Sequence, residues 1–508
     1  MLKNIFLICG ICIIIIWIIY YYIIHNNTLS EAKNNDIYKE KFKLFDSLSK
    51  KLKEVPLRKD LTIKIYVCGP TVYDHCHIGH GRMLITFDLL YRVIRLFSTK
   101  KIEFVQNITD IDDKIINRAK KENVSIEEIS EKYTHHFLEI CELLNIKKPI
   151  IRPKATEYLK QMIDYIQELL NNDKAYSTST GIYLDTTKIP YGYFNHNEES
   201  ISHNIDNKKN ETDFVLWKFT NDITYESPFG AGRPGWHTEC VCMSENILGK
   251  TFHIHGGGID LKFPHHENEL AQHISSNNRV PVHIWMHSEL VNINNAKMSK
   301  SLGNSIFLKD FIKDHFFADV LRYIIITHHY RAIIDFSDIL WEQAIQTVIN
   351  MRKHYFKSNM ERILKNTNIN DLDNYINYIN DINKESHYIN EEKTMNIDIE
   401  DSHIFKNTLC DEMYKALEND LDFPRFIQLV HQSLDSHYES KYEKLKYLGF
   451  WFKPRTNLKA KYIHDQCELR KNYKLKKNYN MADEIRKFLL ENYIVIEDID
   501  NNYIWYYI

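Results

Sequence analysis

The sequence predicts an α/β fold: a doubly wound parallel sheet forming a catalytic domain with an insertion, then an α-helical bundle and a small α+β C-terminal module. Three observations predict the sheet. The β-rich alternating run Leu61-Thr-Ile-Lys-Ile-Tyr-Val67 is broken by Gly69-Pro70. From His80, apolar residues recur at helical spacing (Met83, Phe87, Leu90, Tyr91, Ile94, Phe97). A second strand follows over 101–108. Strand, loop, helix, strand is a βαβ unit, the opening of a Rossmann-like parallel sheet.

The remaining elements follow in order. With 508 residues the chain is too long for one core and predicts two to four domains. Residues 1–60 form a leader or anchor: an uncharged apolar run over 5–24, about the length of a membrane span, continues into a polar Lys/Asn-rich stretch. The catalytic domain covers 61–310. Helices and short strands over about 115–235 interrupt its sheet, with a polar loop at 195–212. The sheet resumes with a strand at 251–255, a helix near 267–274 and a strand near 283–291. Residues 311–448 read as helical, with an Asn/Asp/Glu-rich low-complexity insertion at 366–402. The module at 449–508 opens with a linker, 449–455. It continues with a helix at 481–491, a strand at 493–497, a turn, and a strand ending at Trp505.

Composition narrows the function. Hydrophobic residues at 44% and charged residues at 26% exclude a wholly disordered chain and a polytopic membrane protein. A net charge of −3 excludes a globally basic nucleic-acid coat, although 441–477 holds 12 basic against 3 acidic residues, a patch suited to a phosphate backbone. Nine scattered cysteines favour free thiols or metal ligands in a reducing compartment over a disulfide scaffold.

Three constellations carry chemistry. His77-Ile-Gly-His80 lies in the first βα loop, where two imidazoles and a helix N-terminus can meet phosphate oxygens. Gly79, lacking a Cβ, would let a flat ring such as adenine approach the backbone. Lys297-Met-Ser-Lys-Ser301 offers two mobile charges for a triphosphate and its leaving pyrophosphate; taken alone, it is equally a solvated loop. Cys68, Cys240, His265 and Glu269 make a plausible zinc set, His265 and Glu269 sharing a helix face at four residues' spacing. Taken alone, they are equally two buried cysteines and a charged helix. The cluster Asp110, Asp112 and Asp113 reads as structural.

The histidine and lysine motifs, in this order around a split sheet, resemble the signatures of class I aminoacyl-tRNA synthetases. Tyr66-Val-Cys-Gly-Pro-Thr-Val-Tyr-Asp74, Asn107-Ile-Thr-Asp-Ile-Asp-Asp-Lys114, Gly232-Arg-Pro-Gly-Trp-His237, Gly256-Gly-Gly-Ile-Asp-Leu261, Phe263-Pro-His-His-Glu-Asn-Glu269 and Trp285-Met-His287 resemble cysteinyl-tRNA synthetase, over about 61–330. The resemblance implies a cysteine–tRNA ligase that uses L-cysteine, ATP with Mg²⁺ and tRNA(Cys), and carries one Zn²⁺ held by Cys68, Cys240, His265 and Glu269. It implies catalytic roles for His77, His80, Lys297 and Lys300, and ATP contacts from His77, Gly79, His80, Asp260 and Lys300. Thr71 and Trp236 would meet the amino acid, with Cys242 a spare thiol. Arg486 and Trp505 would meet tRNA, although Tyr506-Tyr507 stands where the family usually has basic residues. Two alternatives stay open: a cysteine–aminosugar ligase, which would lack the module after residue 310, and a zinc hydrolase, which would have no need of the lysine loop. A monomer is expected, with membrane contact only through the N-terminal run. That leader fits delivery to a plastid-like organelle such as an apicoplast; a form without it would stay in the cytoplasm.

Overall fold

The computed structural model describes residues 41–57, 62–147, 151–194, 208–221, 225–277, 279–298, 303–366, 401–403, 405–433, 438–499 and 502–508. The N-terminal apolar run, Lys300, the polar loop over 195–207 and nearly all of the 366–402 insertion lie outside them. No helix among the described residues is long and apolar enough to cross a membrane.

The chain opens with a hairpin, β1 (Lys43–Asp46) and β2 (Lys51–Glu54), then runs β3 (Ile63–Val67), α1 (Ile78–Phe97) and β4 (Ile102–Gln106). The insertion holds α2 (Asp113–Glu122), α3 (Ile126–Leu143) and α4 (Leu159–Asn171). An antiparallel sheet follows: β5 (Ala175–Ser177), β6 (Gly181–Leu184), β7 (Phe214–Phe219) and β8 (Gly232–Pro234). Then come α5 (Trp236–Leu248), β9 (Phe252–Gly258), α6 (Glu267–Asn277) and β10 (Val282–Ser288).

The central sheet is parallel throughout, in the order β10-β9-β3-β4. Its central strand β3 is buried on both faces, with Ile63, Ile65, Tyr66 and Val67 nearly inaccessible. A strand covered by helices on both sides is largely apolar, and the one charged residue of β3, Lys64, is half-buried with its Nζ on the Leu248 carbonyl. The chain leaves β3 for β4 on one side and returns to β9 on the other. That reversal opens a crevice at the carboxyl ends of β3 and β9, where ligands bind in doubly wound sheets.

Several boundaries differ from the sequence reading. Residues Lys43–Ile508 form one compact unit, so the hairpin before residue 61 belongs with the catalytic part: its turn is bonded to β10 through Ser47 N–H to the Trp285 carbonyl, 2.9 Å. The chain past 310 is not wholly helical. After β11 (Val291–Ile293), β12 (Ala296–Lys297), α7 (Leu308–Phe311) and α8 (His315–Ile326), a short strand β13 (Ile334–Phe336) pairs in parallel with β11. Three residues are too few to register as alternation.

Helix α9 (Asp338–Asn366) leads into α10 (Asp411–Glu418), α11 (Phe423–Gln432) and α12 (Tyr438–Tyr447). The supposed linker at 449–455 is a buried strap: Trp451 and Phe452 donate their N–H groups to Asp319, and the Trp451 indole donates to the Leu143 carbonyl at 2.8 Å. The module ends in α13 (Ala460–Leu475), α14 (Tyr479–Glu491) and the hairpin β14 (Ile494–Ile499) and β15 (Asn502–Tyr507). Tyr507 meets Phe356 edge to face, and Lys357 pairs with Glu497, so this hairpin docks on α9.

One buried ionic knot joins the layers. Asp88 accepts from Arg92 at 2.9 Å, Arg322 at 2.8 Å and the Lys147 N–H at 2.8 Å, while the two guanidiniums cap the carbonyls of Tyr447 and Leu448. Removing one partner of such a set leaves a buried charge uncompensated, costing about 3–5 kcal/mol. Arg322→Ala is therefore expected to lower unfolding stability by about that amount, and Lys160→Ala, on an exposed pair with Asp164, by less than about 1 kcal/mol. Urea unfolding measures both, and equal effects would contradict the assignment.

Candidate active site and metal centre

Three distant segments meet in the crevice. Cys68 leaves β3, its N–H bonded to the Gly256 carbonyl at 2.9 Å. Cys240 lies one turn into α5. His265 and His266 lie in a π-helical turn over Lys262–His266, and Glu269 in the first turn of α6. All five side chains are buried.

Measured from Cys68, the separations to the other three residues of the predicted set match those of a tetrahedral ion, while His265 Nε2 and Glu269 Oε1, 2.8 Å apart, stand at hydrogen-bond distance. Sulfur at about 2.3 Å and nitrogen at about 2.0–2.1 Å from such an ion place two sulfurs about 3.8 Å apart and sulfur and nitrogen about 3.6 Å apart. Cys68 Sγ lies 3.8 Å from Cys240 Sγ, 3.6 Å from His265 Nε2 and 3.4 Å from Glu269 Oε1. The sequence reading missed His266. Its Nε2 is 3.3 Å from Cys68 Sγ, and the donor atoms of Cys68, His265, His266 and Glu269 all lie within 4.8 Å of one another. The i, i+4 rule picks His265 with Glu269 but says nothing of its neighbour, which the wider π turn also brings inward.

Burial drives every member of this cluster toward its neutral form. It pushes both thiols up, the Glu269 carboxyl up to about 7 and the His265 imidazole down to about 3. A bound cation reverses that balance for the acids, because it stabilises thiolate and carboxylate where water cannot.

Around the cluster stands a ring of aromatic and imidazole groups. Trp236 is half-buried and stacks on His265 with centroids 4.0 Å apart. His237 Nδ1 approaches His265 Nδ1 at 2.9 Å, leaving His265 Nε2 to face Glu269 at 2.8 Å. His255 stacks on Trp285 at 4.3 Å and reaches Glu269 at 3.2 Å. Glu267 accepts from three successive N–H groups, Gly192, Tyr193 and Phe194, and so holds Phe194 against Trp285. Period-2 histidines at 253 and 255 were the available sign of the β9 contribution. Thr71 lies three residues beyond Cys68, bridged to Thr109.

The histidine motif expected to meet phosphate opens α1. That helix begins at Ile78, two residues earlier than its periodicity predicts, so His77 is its N-cap and His80 closes the first turn. The two rings lie 3.8 Å apart, and His77 N–H donates to His80 Nδ1 at 3.1 Å. The segment after the lysine loop is stapled there: Ile78 N–H to the Ile306 carbonyl, 3.0 Å, and Leu308 N–H to the Cys76 carbonyl, 2.8 Å. Met298 comes within 3.4 Å of where a Gly79 Cβ would lie. Lys297 is exposed, and its charge acts on Asp260 just past β9.

Other expectations divide. Asp112 caps α2, Asp110 accepts from Thr156, and Asp113 pairs with Lys218 and Arg233, all structural roles. Cys242 is buried, its Sγ facing the Gln161 carbonyl at 4.0 Å. Arg486 is exposed on α14. Trp505 corrects the reading: it is 0% exposed, with Tyr507 edge-on at 5.6 Å, and has no face free to stack on a base. The aromatic end of the chain packs the module instead.

A methyl group on Gly256 would collide with the ring of Phe87 in α1. Gly256→Ala is expected to cost about 1–3 kcal/mol by overpacking, read as a shifted urea midpoint; an unchanged midpoint would contradict the close β9–α1 contact.

Comparison with known proteins agrees with this geometry. Residues 54–346 match the family described as the tRNA synthetases class I (C) catalytic domain. The chain is 36% identical over 477 residues to a cysteine–tRNA ligase of Methanococcus aeolicus, covering 87% of this chain and 95% of the relative. It is 37% identical to that of Campylobacter lari, covering 91% and 98%. In fold it is similar to the LeuRS of an Agrobacterium radiobacter LeuRS–tRNA–LeuAMS complex, with a TM-score of 0.51 at 10% identity over 78% of this chain and 83% of that one. Similarity sustained over nine-tenths of the chain, through the catalytic sheet and the helical half alike, makes this protein a member of the cysteine–tRNA ligase family.

Proposed function

We propose that this protein joins L-cysteine to tRNA(Cys) at the expense of ATP, and that it selects cysteine through a zinc ion held by Cys68, Cys240, His265 and Glu269. The carrying observation is the buried sulfur, sulfur, nitrogen and oxygen set in the sheet crevice, with Cys68 Sγ 3.4, 3.6 and 3.8 Å from the Glu269, His265 and Cys240 donors. Cysteine and serine differ by one atom, and shape alone separates such near-isosteres poorly. Zinc, when bound, supplies a soft Lewis acid that prefers a thiolate to a hydroxyl.

The chain's own groups do the rest. Trp236 closes the side of the amino-acid pocket, and Thr71 lies at its mouth. His77, His80 and the N–H groups opening α1 receive the ATP phosphates, with Mg²⁺ accompanying the nucleotide. Lys297 and Lys300 neutralise charge on the departing pyrophosphate as the cysteine carboxylate attacks the α-phosphate. Gly79 and Asp260 meet the adenosine. A ribose hydroxyl of the tRNA end, the 2′-OH by preference, then takes the cysteinyl group. No covalent enzyme intermediate is required; positioning and charge stabilisation suffice. Exposed Lys459, Lys461, Lys476 and Lys477 on the C-terminal side, with Arg486, supply the phosphate-binding surface. This folded C-terminal half favours tRNA over an aminosugar as acceptor. The N-terminal run fits delivery to an apicoplast-like plastid, and N-terminal sequencing of the mature protein tests that.

Cysteine-dependent ATP–pyrophosphate exchange, followed by charging of tRNA(Cys), tests the whole reading; exchange driven equally by serine would overturn the selection step. Cys240→Ser is expected to strip zinc and raise the cysteine KM by about tenfold or more, with the ATP KM little changed. Lys300→Ala should slow adenylate formation while leaving the cysteine KM near normal, and unaltered exchange rates would remove its phosphate role.

A further inference from the structure

We infer that Ser47 is a positioning residue for the metal centre, acting through His287 and His266; the inference rests on the zinc reading above. The turn between β1 and β2 is clamped to β10. Asp46, fully buried, accepts the Trp285 N–H at 2.9 Å and pairs with Lys53 at 2.6 Å, while Ser47 N–H donates to the Trp285 carbonyl at 2.9 Å. Both the N–H and the carbonyl of Trp285 are thereby taken by this turn. The clamp points Ser47 Oγ inward, 2.8 Å from His287 Nδ1. His287 Nε2 lies 2.8 Å from His266 Nδ1, and His266 Nε2 lies 3.3 Å from Cys68 Sγ. All four side chains are buried, Ser47 being the most accessible at 8%.

The polarity of this chain follows from its inner end. A metal-bound cysteine is a thiolate and can only accept. With the ion held by Cys68, Cys240, His265 and Glu269, His266 stands beside the thiolate rather than on the metal, so it carries its proton on Nε2, which leaves Nδ1 to accept from His287 Nε2–H. His287 Nδ1 is left bare, and Ser47 O–H donates to it. The Ser47 N–H is already committed to Trp285, so only a hydroxyl at position 47 completes the chain. Without it, both rings can exchange tautomers, and one of the two tautomers of His266 turns a lone pair toward the thiolate. Outer partners of metal ligands typically change metal affinity about 10–100-fold.

The test uses the full chain carrying Ser47→Ala, Ser47→Val or Ser47→Thr. Valine and threonine share a shape and differ in the hydroxyl, so that pair separates hydrogen bonding from packing, and alanine decides if the larger residues fail to fold. Zinc affinity is measured by competition with a chromogenic chelator, and the cysteine and ATP KM values by pyrophosphate exchange. Ser47→Ala and Ser47→Val should weaken zinc about tenfold or more and raise the cysteine KM alone, while Ser47→Thr matches the parent. Equal zinc affinity in the valine and threonine variants would overturn the inference while leaving the zinc reading intact. A parent chain that binds no zinc would overturn both.

Discussion

Two thiols, an imidazole and a carboxyl confined to a dry crevice are the constraint on which the rest of this structure depends. Water cannot reach Cys68, Cys240, His265 and Glu269, so none of them is favoured in its charged form. Four ionisable groups gathered this closely without a partner would be a costly core. A divalent cation supplies the countercharge that lets the thiols and the carboxyl ionise there. The fold's task is to hold the four donors in place although they lie up to two hundred residues apart.

The parallel sheet does most of this. Because the chain turns back between β3 and β9, Cys68 and the glycines of β9 emerge side by side, and the register sets His255 opposite both Tyr66 and Trp285. The insertion brings α5 with Cys240, and its 191–194 segment is tied down by Glu267. The histidine motif is placed by the same means: the start of α1 is stapled to residues 306–308 beyond the lysine loop. The cysteine-rich cluster and the two histidines that open α1 thus lie along the same edge of the sheet, where the proposed function places the amino-acid and nucleotide subsites.

Much of this was legible in the residues. The alternation of 61–67 and the helical spacing after His80 are strong local signals, and both elements are present within two residues of the expected bounds. The candidate metal set drew its weight from resemblance: His265 and Glu269 share a local helix spacing, but Cys68 and Cys240 lie far from them in the chain and from each other. Other features had no signature at all. The β1–β2 hairpin is four residues a strand and Lys-rich, so it reads as a continuation of the polar leader, and only its contact with β10 reveals it. His266 is concealed by a π turn. The tail aromatics carried an ambiguous message: Trp505 could stack on a base or fill a core, and the burial of Tyr503 to Tyr507 decides for the core.

The central claim is that the substrate's sulfur joins the buried donor set. Zinc-edge X-ray absorption of the purified protein, recorded alone and with saturating cysteine or serine, addresses it directly. The account predicts one additional sulfur neighbour on adding cysteine and an unchanged spectrum with serine. A coordination shell indifferent to cysteine would contradict it.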